Sequence, residues 1–243
     1  MTTTTEVSDQ YLINVKFPTR VQRTERVLEV AEAFGIGLDD KDFVVFEDLN
    51  LQIKRGDVVY ITGQSGAGKS VLLRELTRQM QERGLKTAVL DETLLEPIPL
   101  IDQIGDSTKK GLEYMATTGI NDAYLYIRKP GELSDGQRYR FRLSKAIETG
   151  ADVWVADEFL AVLDRTTAKA IAFAVQKAAR RVGATVLVAT THADLRDDLG
   201  PDLIVSKRFR EKLKVEVIEE AISRLDTSPM TREELNQRIL DLS

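Results

Sequence analysis

The sequence predicts an α/β fold with a mainly parallel central sheet, and three observations point to it. Strand-like apolar runs alternate with helical patterns between residues 58 and 191. The run 58–61 is apolar throughout and rich in β-branched residues, as expected of a strand covered on both faces. The chain has 243 residues, 42% of them hydrophobic, so it can bury a substantial core without disulfides.

The N-terminal part is expected to precede this sheet as antiparallel strands with one helix between them. Residues 11–17 alternate as a strand, residues 24–34 place their apolar side chains on one helical face, and a second strand starts at Phe43. Gly35 and Gly37 end the helix.

The parallel sheet is assigned to four apolar runs and the helices between them. We expect its strands at residues 58–61, 86–90, 153–156 and 185–191. We expect its helices at residues 69–83, 136–148 and 166–182, where apolar residues recur at helical spacing.

The stretch 94–133 differs from its surroundings, since it carries prolines and only a weak helical pattern. We predict an inserted, short helical lobe there. It divides the main domain into residues 1–93 and 134–215. The polar remainder, residues 216–243, is expected to form a helical tail.

Composition excludes several classes of site. The chain has no cysteine, which rules out disulfides, a thiol nucleophile and cysteine-based zinc sites, and His192 is its single histidine. Residues 1–6 have neither a basic nor an apolar character, and no window approaches the 18 or so apolar residues of a membrane span. We therefore expect a soluble, cytoplasmic protein with no transmembrane segment of its own.

Charge gives a weaker indication about partners. Lys and Arg number 34 against 39 Asp and Glu, a formal charge of −5, which argues against indiscriminate binding to nucleic acid. Residues 128–145 and 207–214 are nevertheless locally basic. A nucleic-acid surface and a solvated or ion-paired face are both consistent with these stretches.

A glycine-rich motif lies between the strand predicted at 58–61 and the helix predicted at 69–83. Its sequence, Gly-Gln-Ser-Gly-Ala-Gly-Lys-Ser, fits G-x-x-x-x-G-K-[ST]. Backbone N–H groups of such a loop converge on phosphate oxygens, the lysine reaches the β- and γ-phosphates, and the hydroxyl ligates Mg²⁺. We predict a nucleoside triphosphate site formed by Gly63, Gln64, Ser65, Gly66, Ala67, Gly68, Lys69, Ser70 and Val71.

Two adjacent acids follow the strand predicted at 153–156. Ligands of open α/β sheets bind at this end of the strands. Asp157 is therefore expected to hold Mg²⁺ together with Ser70. Glu158 is expected to act as the general base that polarises the attacking water.

Three further motifs carry a resemblance to the ABC-type ATPases. Residues 133–138, Leu-Ser-Asp-Gly-Gln-Arg, resemble their LSGGQ signature, with Asp135 in place of the first glycine. Residues 161–164 resemble their D-loop, and His192 matches their switch histidine. The resemblance implies a P-loop NTPase of ABC type with a RecA-like core, in which residues 63–70 and 153–158 are the Walker A and Walker B motifs.

The same resemblance implies a homodimer that sandwiches two ATP molecules. Ser134, Gly136, Gln137 and Asp164 of one subunit would complete the site that contains Lys69 of the other. A helix start at Ser134 offers N–H groups to an anion in any case, and the serine is also expected to cap that helix. The imidazole of His192 would donate to the γ-phosphate beside Glu158.

Some positions depart from the ABC-type pattern. Phe159 follows the catalytic glutamate where proline is conventional, and Asp135 places a carboxylate near the expected triphosphate. Gln103 is the candidate for the switch glutamine, and hence for a further metal ligand. Candidates for stacking on adenine are Phe17, Phe34 and Phe43, although we expect each of them to belong to the core.

Three functions are compatible with these motifs. Residues 26–37, 133–142 and 156–165 resemble a small group of non-transport ABC-type ATPases of archaea, bacteria and phages, some fused to a predicted acetyltransferase domain. We therefore expect an ATP-driven conformational machine, with nucleic acid as a candidate client. The alternatives are the ATP-binding subunit of a membrane ABC transporter and a slow dimerisation switch.

Overall fold

The computed structural model describes residues 9–207 and 213–218, which form two sheets surrounded by helices. The elements are β1 (Gln10–Thr19), α1 (Glu25–Phe34), β2 (Lys41–Gln52), β3 (Val58–Gly63), α2 (Lys69–Glu82), β4 (Thr87–Val89), α3 (Thr108–Thr117), α4 (Ala123–Tyr126), α5 (Asp135–Glu148), β5 (Val153–Ala156), α6 (Arg165–Val182), β6 (Thr185–Thr190), α7 (Arg196–Leu199), β7 (Leu203–Lys207) and β8 (Lys214–Val217). Short 3₁₀ turns occupy Leu100–Gln103 and Pro130–Glu132.

The main sheet confirms the predicted α/β class. Its strand order is β4-β5-β6-β3-β7-β8, and every neighbouring pair is parallel except β7 and β8. The carboxyl ends of β3, β5 and β6 consequently lie side by side, which is where such sheets bind ligands.

Strands β7 and β8 were not predicted. The second of them runs to Val217 and pairs antiparallel with β7, so the proposed helical tail cannot begin at residue 216. Residues 219–243, the rest of that predicted tail, lie outside the described residues.

Both faces of the main sheet are covered, as its apolar strands require. Helices α5 and α6 cover one face, around the fully buried Trp154 and Phe159. On the other face, α2 packs together with the antiparallel pair β1 and β2, whose Tyr11 and Ile13 are buried. The predicted N-terminal strands therefore form a separate small sheet that rests on the core.

Helix α1 projects from this small sheet with little cover. Ala31 is its one buried residue, while Phe34 is 77% exposed. Phe17 and Phe43, paired across β1 and β2, are 47% and 61% exposed. The expectation that these three phenylalanines belong to the core was wrong, because α1 has little cover and the stretches of β1 and β2 that carry Phe17 and Phe43 are exposed.

The segment between β4 and α5 has an apolar cluster of its own, made by Leu100, Ile104, Met115, Ile120 and Leu133 with Phe141 of α5. Helix α5 thus contributes to the main core through one face and to the lobe through another. Pro99 precedes the first 3₁₀ turn and Pro130 opens the second, while Gly111 lies within α3.

Candidate functional site

The glycine-rich loop connects β3 to α2 in a conformation that its glycines permit. Gly63 has φ of 145°, and a Cβ atom there would lie 1.9 Å from the carbonyl oxygen of Lys207, its partner on β7. Gly68, with φ of 89°, precedes α2, and a Cβ atom would lie 2.8 Å from Cγ1 of Val45. These close approaches require glycine and leave the N–H groups at the start of α2 available to an anion.

Lys69 closes this loop. Its Nζ donates to the carbonyl oxygens of Gly63 and Gln64, each at 2.9 Å. Burial lowers the pKa of Lys69, and the nearby carboxylates of Asp157 and Glu158 act in the opposite direction. The ammonium group is therefore held over the loop, where bound phosphates would meet it.

The loop and the acid pair are joined directly. The Ser70 hydroxyl donates to Oδ1 of Asp157 at 3.0 Å, and the same oxygen accepts the backbone N–H of Glu158 at 3.0 Å. A hydroxyl and a carboxylate are hard oxygen donors that suit Mg²⁺, which completes its coordination with water and phosphate oxygens. Within residues 9–207 and 213–218 there is no cluster of three acidic, histidine or cysteine side chains that could hold a metal by itself.

The backbone after Asp157 is strained. Glu158 and Leu160 have φ values of 50° and 58°, which residues other than glycine rarely adopt. Between them, the N–H of Phe159 donates to the Ala189 carbonyl at 2.8 Å, and its buried ring packs edge-on against Tyr139 at 6.2 Å. Proline could make neither contact, which explains why phenylalanine stands at this position.

Two unpredicted side chains connect the acid pair to the histidine. The hydroxyl of Thr190 donates to the Phe159 carbonyl at 3.1 Å and accepts the backbone N–H of His192 at 3.1 Å. The Tyr60 hydroxyl donates to the carbonyl of His192. Burial raises the pKa of Tyr60 to about 12, so this donor keeps its proton. Thr190 and Tyr60 lie within apolar strands, and the composition of those strands gave no sign that either residue takes part in the site.

These residues surround one cavity of about 400 Å³. It is lined by Ser65, Gly66, Gly68, Lys69, Ser70, Val71, Asp157, Glu158, Ala161, Thr190 and Thr191. Of the remaining predicted loop residues, Ala67 is buried beneath the loop, while Gly63 and Gln64 hold Lys69. The fold thus brings the predicted phosphate loop and acid pair together.

The starts of α5 and α6 lie against each other. Ser134 caps α5 by accepting the N–H of Gln137 at 3.3 Å, and the Gln137 side chain accepts the N–H of Ser134 at 3.0 Å. Asp164 caps α6 by accepting the N–H of Thr167 at 3.0 Å. Gly136 is buried, and a Cβ atom there would lie 2.9 Å from Cγ2 of Thr167. The expected capping role of Ser134 is confirmed.

Comparison with known proteins identifies this arrangement. Residues 46–161 match the family model described as ABC transporter. The chain is 28% identical over 205 residues to the methionine import ATP-binding protein MetN 1 of Lactiplantibacillus plantarum, with 69% of this chain and 57% of that protein covered. The fold is that of an ABC-type ATPase cassette, which residues 46–161 also resemble in sequence. ATP hydrolysis is the activity expected of such a domain.

Two further comparisons agree with the ABC assignment. The cytochrome c biogenesis ATP-binding export protein CcmA of Sphingopyxis alaskensis is 29% identical over 184 residues, with 68% of this chain and 91% of that protein covered. A dimeric ATP-binding cassette solved in a post-hydrolysis state with ADP and Pi has a TM-score of 0.56 at 19% identity, covering 86% of this chain and 98% of that chain. The chain spans little more than half the length of MetN 1.

The charge of Asp135 has a compensating partner on the same helix. Its carboxylate pairs with the guanidinium of Arg138 one turn along α5 at 3.1 Å, and its side chain is 70% exposed. The carboxylate therefore has a cation beside it in solvent, where screening is strong.

Gln103 does not take the place expected of an ABC switch glutamine. Its amide nitrogen donates to the carbonyls of Glu96 and Ile98 at 3.0 and 2.7 Å, and its amide oxygen accepts the N–H of Glu96 at 2.9 Å. The side chain is therefore occupied in holding the start of the lobe, and Gln103 does not line the cavity. Its assignment as a metal ligand is corrected accordingly.

An acid closer to Asp157 is Asp91, which follows β4 beside β5, the strand that ends one residue before Asp157. Burial raises the pKa of Asp91, the Arg142 guanidinium lowers it, and the Asp157 carboxylate raises it again. The sequence signal for Asp91 was its place directly after the predicted strand 86–90. The position was assigned to Gln103 instead, because a glutamine was expected there.

Phe159 is expected to be a major contributor to the stability of this ATPase domain. Replacing Phe159 with alanine should lower the free energy of unfolding by about 3–5 kcal/mol, because its buried ring leaves a cavity against Tyr139. Urea denaturation measures the change. Phe173→Ala is the matched control, since that ring is 49% exposed on α6 and its loss should cost under about 1 kcal/mol. Equal losses of unfolding free energy in the two variants would contradict a major contribution of Phe159 to stability.

Proposed function

We propose that the chain binds ATP and Mg²⁺ at composite sites of a head-to-tail homodimer and hydrolyses ATP to drive a conformational cycle. The observation that carries this proposal is the division of the motifs. The cavity is lined by the phosphate loop and acid pair, whereas residues 134–137 do not line it. The dimeric ATP-binding cassette that shares this fold supports the same assembly.

The D-loop supports a partner at this side of the molecule. Val162, between the acid pair and Asp164, is 93% exposed. An apolar side chain so exposed at a loop next to the cavity suits contact with a second copy. Such a contact would bring Ser134 and Gly136 of that copy toward the phosphates, with the N–H groups at the start of α5 directed at them.

The residues present account for hydrolysis of a bound triphosphate. Lys69 would contact the β- and γ-phosphates, and Ser70 with Asp157 would hold Mg²⁺, which neutralises charge developing on the phosphate oxygens. Glu158 would take the proton of the attacking water. The strained backbone of Glu158 and the hydrogen bond from the Phe159 N–H to the Ala189 carbonyl fix the position of the Glu158 Cα atom, from which the carboxylate extends.

The adenine ring would meet the small N-terminal sheet. Val45 of β2 lies against the phosphate loop at Gly68, two residues from Phe43. Phe43 pairs with Phe17 across the strands, and both rings are exposed. We propose these two phenylalanines over Phe34 as the surface on which the base stacks.

Mixing two inactive variants tests the composite site. Ser134→Asp retains a good helix cap but places a negative charge where the γ-phosphate should dock, and Glu158→Gln removes the base. Each variant alone should be inactive. A mixture made before ATP is added should recover up to roughly a quarter of the wild-type rate, because half of randomly formed dimers are mixed and each has one intact site.

Ser134→Asn serves as the matched control, since asparagine caps a helix without adding charge. It should retain much more activity than Ser134→Asp. A mixture of Ser134→Asp and Glu158→Gln that stays inactive, although each variant folds and binds ATP, would overturn the composite site.

Two specific findings favour a second candidate, the ATP-binding subunit of a membrane transporter. The family model is described as ABC transporter, and the similar proteins named above are an import and an export ATP-binding protein. Among the described helices, none has the length and apolar character needed to cross a membrane. Purification of the tagged chain from its native membranes with a membrane-spanning protein at fixed stoichiometry would decide for this candidate.

The case for a nucleic-acid client is weakened by the contacts of the basic residues. Within the stretch 128–145, Arg140 donates to the Thr118 carbonyl at 3.1 Å and Lys145 donates to the Gln103 carbonyl. These side chains hold the lobe to α5. We therefore propose the cytoplasmic ATPase cycle without assigning it a nucleic acid.

The second basic stretch, residues 207–214, adds little. Lys207 donates to the Val45 carbonyl at 2.7 Å and lies over the ring of Phe46. Residues 208–212 lie outside the described residues. DNA or RNA binding that falls steeply with salt would restore the nucleic-acid hypothesis. A wild-type rate of ATP hydrolysis too slow to drive a repeated conformational cycle would favour the dimerisation switch.

A further inference from the structure

The surroundings of His192 contain a charged group that belongs to none of the motifs assigned above. Arg165, the first residue of α6, lies directly after the D-loop. Its NH1 atom is 2.9 Å from Nδ1 of His192, and its NH2 atom pairs with Oδ2 of Asp194. One planar guanidinium thus bridges two residues of the turn that follows β6.

This contact decides the tautomer of the ring. A guanidinium has five N–H donors and no acceptor, so Nδ1 of His192 must accept and cannot carry a hydrogen. The hydrogen of the neutral imidazole is therefore on Nε2. That atom is buried and has no hydrogen-bond partner among the described residues. It is therefore an unpaired donor, in a residue that follows Thr190 and Thr191 of the cavity lining.

The backbone of His192 is fixed independently of the ring. Its N–H is held by Thr190 and its carbonyl by Tyr60. These backbone contacts fix the Cα atom of His192 but leave rotation about its side-chain bonds free. Arg165 and Asp194 supply the missing constraint, because the fork of Arg165 fits both partners at once in one orientation.

We propose that Arg165 is a positioning residue for hydrolysis, which holds His192 as the Nε2–H tautomer and so keeps that N–H as the donor for the γ-phosphate, and that Asp194 orients Arg165. This inference rests on the proposed function. It also gives the D-loop a connection to the switch histidine within one chain, since Arg165 is covalently next to Asp164.

The single histidine makes the test direct. Nitrogen-15 NMR of the neutral imidazole, recorded at alkaline pH, reports both ring nitrogens without overlap from another histidine. In the wild-type chain Nδ1 should resonate as an unprotonated nitrogen and Nε2 as a protonated one. In Arg165→Ala the two resonances should move toward each other as the tautomers exchange, and in Arg165→Lys they should move less, because an ammonium also only donates but lacks the fork.

The kinetic test separates positioning from binding. Arg165→Ala and Arg165→Lys should lower kcat for ATP by about ten- to a hundred-fold, by analogy with groups that hydrogen-bond and orient metal-ligating histidines. KM should change less than about two-fold, because Arg165 does not line the cavity. Asp194→Asn should show a smaller fall in kcat. Arg196→Ala is the matched control, since it breaks the exposed ion pair between Arg196 of α7 and Glu216 of β8. It should leave the nitrogen shifts and kcat unchanged.

Protonation of Nδ1 in the wild-type chain, or unchanged nitrogen shifts in Arg165→Ala, would overturn the inference. Altered shifts with an unchanged kcat would overturn the positioning role. An inactive wild-type chain would instead refute the proposed function, and the NMR result would still test the contact between Arg165 and His192.

Discussion

Replacing Glu158 with glutamine is expected to lower kcat for ATP hydrolysis by about 10²–10⁴-fold while ATP still binds. Glutamine keeps the size of the side chain and removes its proton acceptor. The backbone bond from residue 158 to Asp157 Oδ1 is unaffected, so the metal ligand keeps its position. Without hydrolysis the ATP-bound dimer should persist, and light scattering with and without ATP and Mg²⁺ should report a doubled mass.

Glu92→Gln is a suitable control for this prediction, since it makes the same change at an exposed acid beyond the cavity. It should hydrolyse ATP at close to the wild-type rate. If Glu158→Gln hydrolyses ATP as fast as the wild-type chain, Glu158 is not the base.

Replacing Lys69 with alanine is expected to weaken ATP binding by about 100-fold or more. Each hydrogen bond from a charged group contributes about 1.5–3 kcal/mol, and this ammonium is placed for the β- and γ-phosphates. Titration with a fluorescent ATP analogue measures the dissociation constant. Removing the ammonium also releases the carbonyls of Gly63 and Gln64, so unfolding should be measured in parallel.

Lys86→Ala is the matched control for Lys69, because its ammonium donates to the Thr149 carbonyl away from the cavity. Its affinity for ATP should equal that of the wild-type chain. Unchanged affinity in Lys69→Ala would refute the phosphate-loop assignment.

The central sheet could be predicted because burial on both faces leaves a local pattern. The run 58–61 and the run 153–156 are continuous apolar segments with polar or glycine residues directly after them. Strand β8 leaves no such pattern, since it pairs at the sheet edge and its four residues are exposed. Its existence depends on β7 beside it, a contact between chain segments that periodicity does not contain.

The site was predictable where chemistry follows directly from residue type and order. Lys69, Ser70 and Asp157 meet as expected because the carboxyl ends of parallel strands lie at the same edge of the sheet, with only β6 between β3 and β5. Gln103 was misassigned because a glutamine suits a metal site and equally suits a loop with unsatisfied backbone groups. Arg165 was missed because its role depends on two partners that the chain brings back 27 and 29 residues later.

The N–H of Phe159 also limits how this protein can be redesigned. Stabilisation by consensus replaces an unusual residue with the one most common among relatives, and it assumes that the backbone around the position is the same. At residue 159 that rule selects proline, which has no N–H for the Ala189 carbonyl and no ring for Tyr139. The unusual phenylalanine and its neighbours form one unit, so this position can be exchanged only together with the residues that contact it.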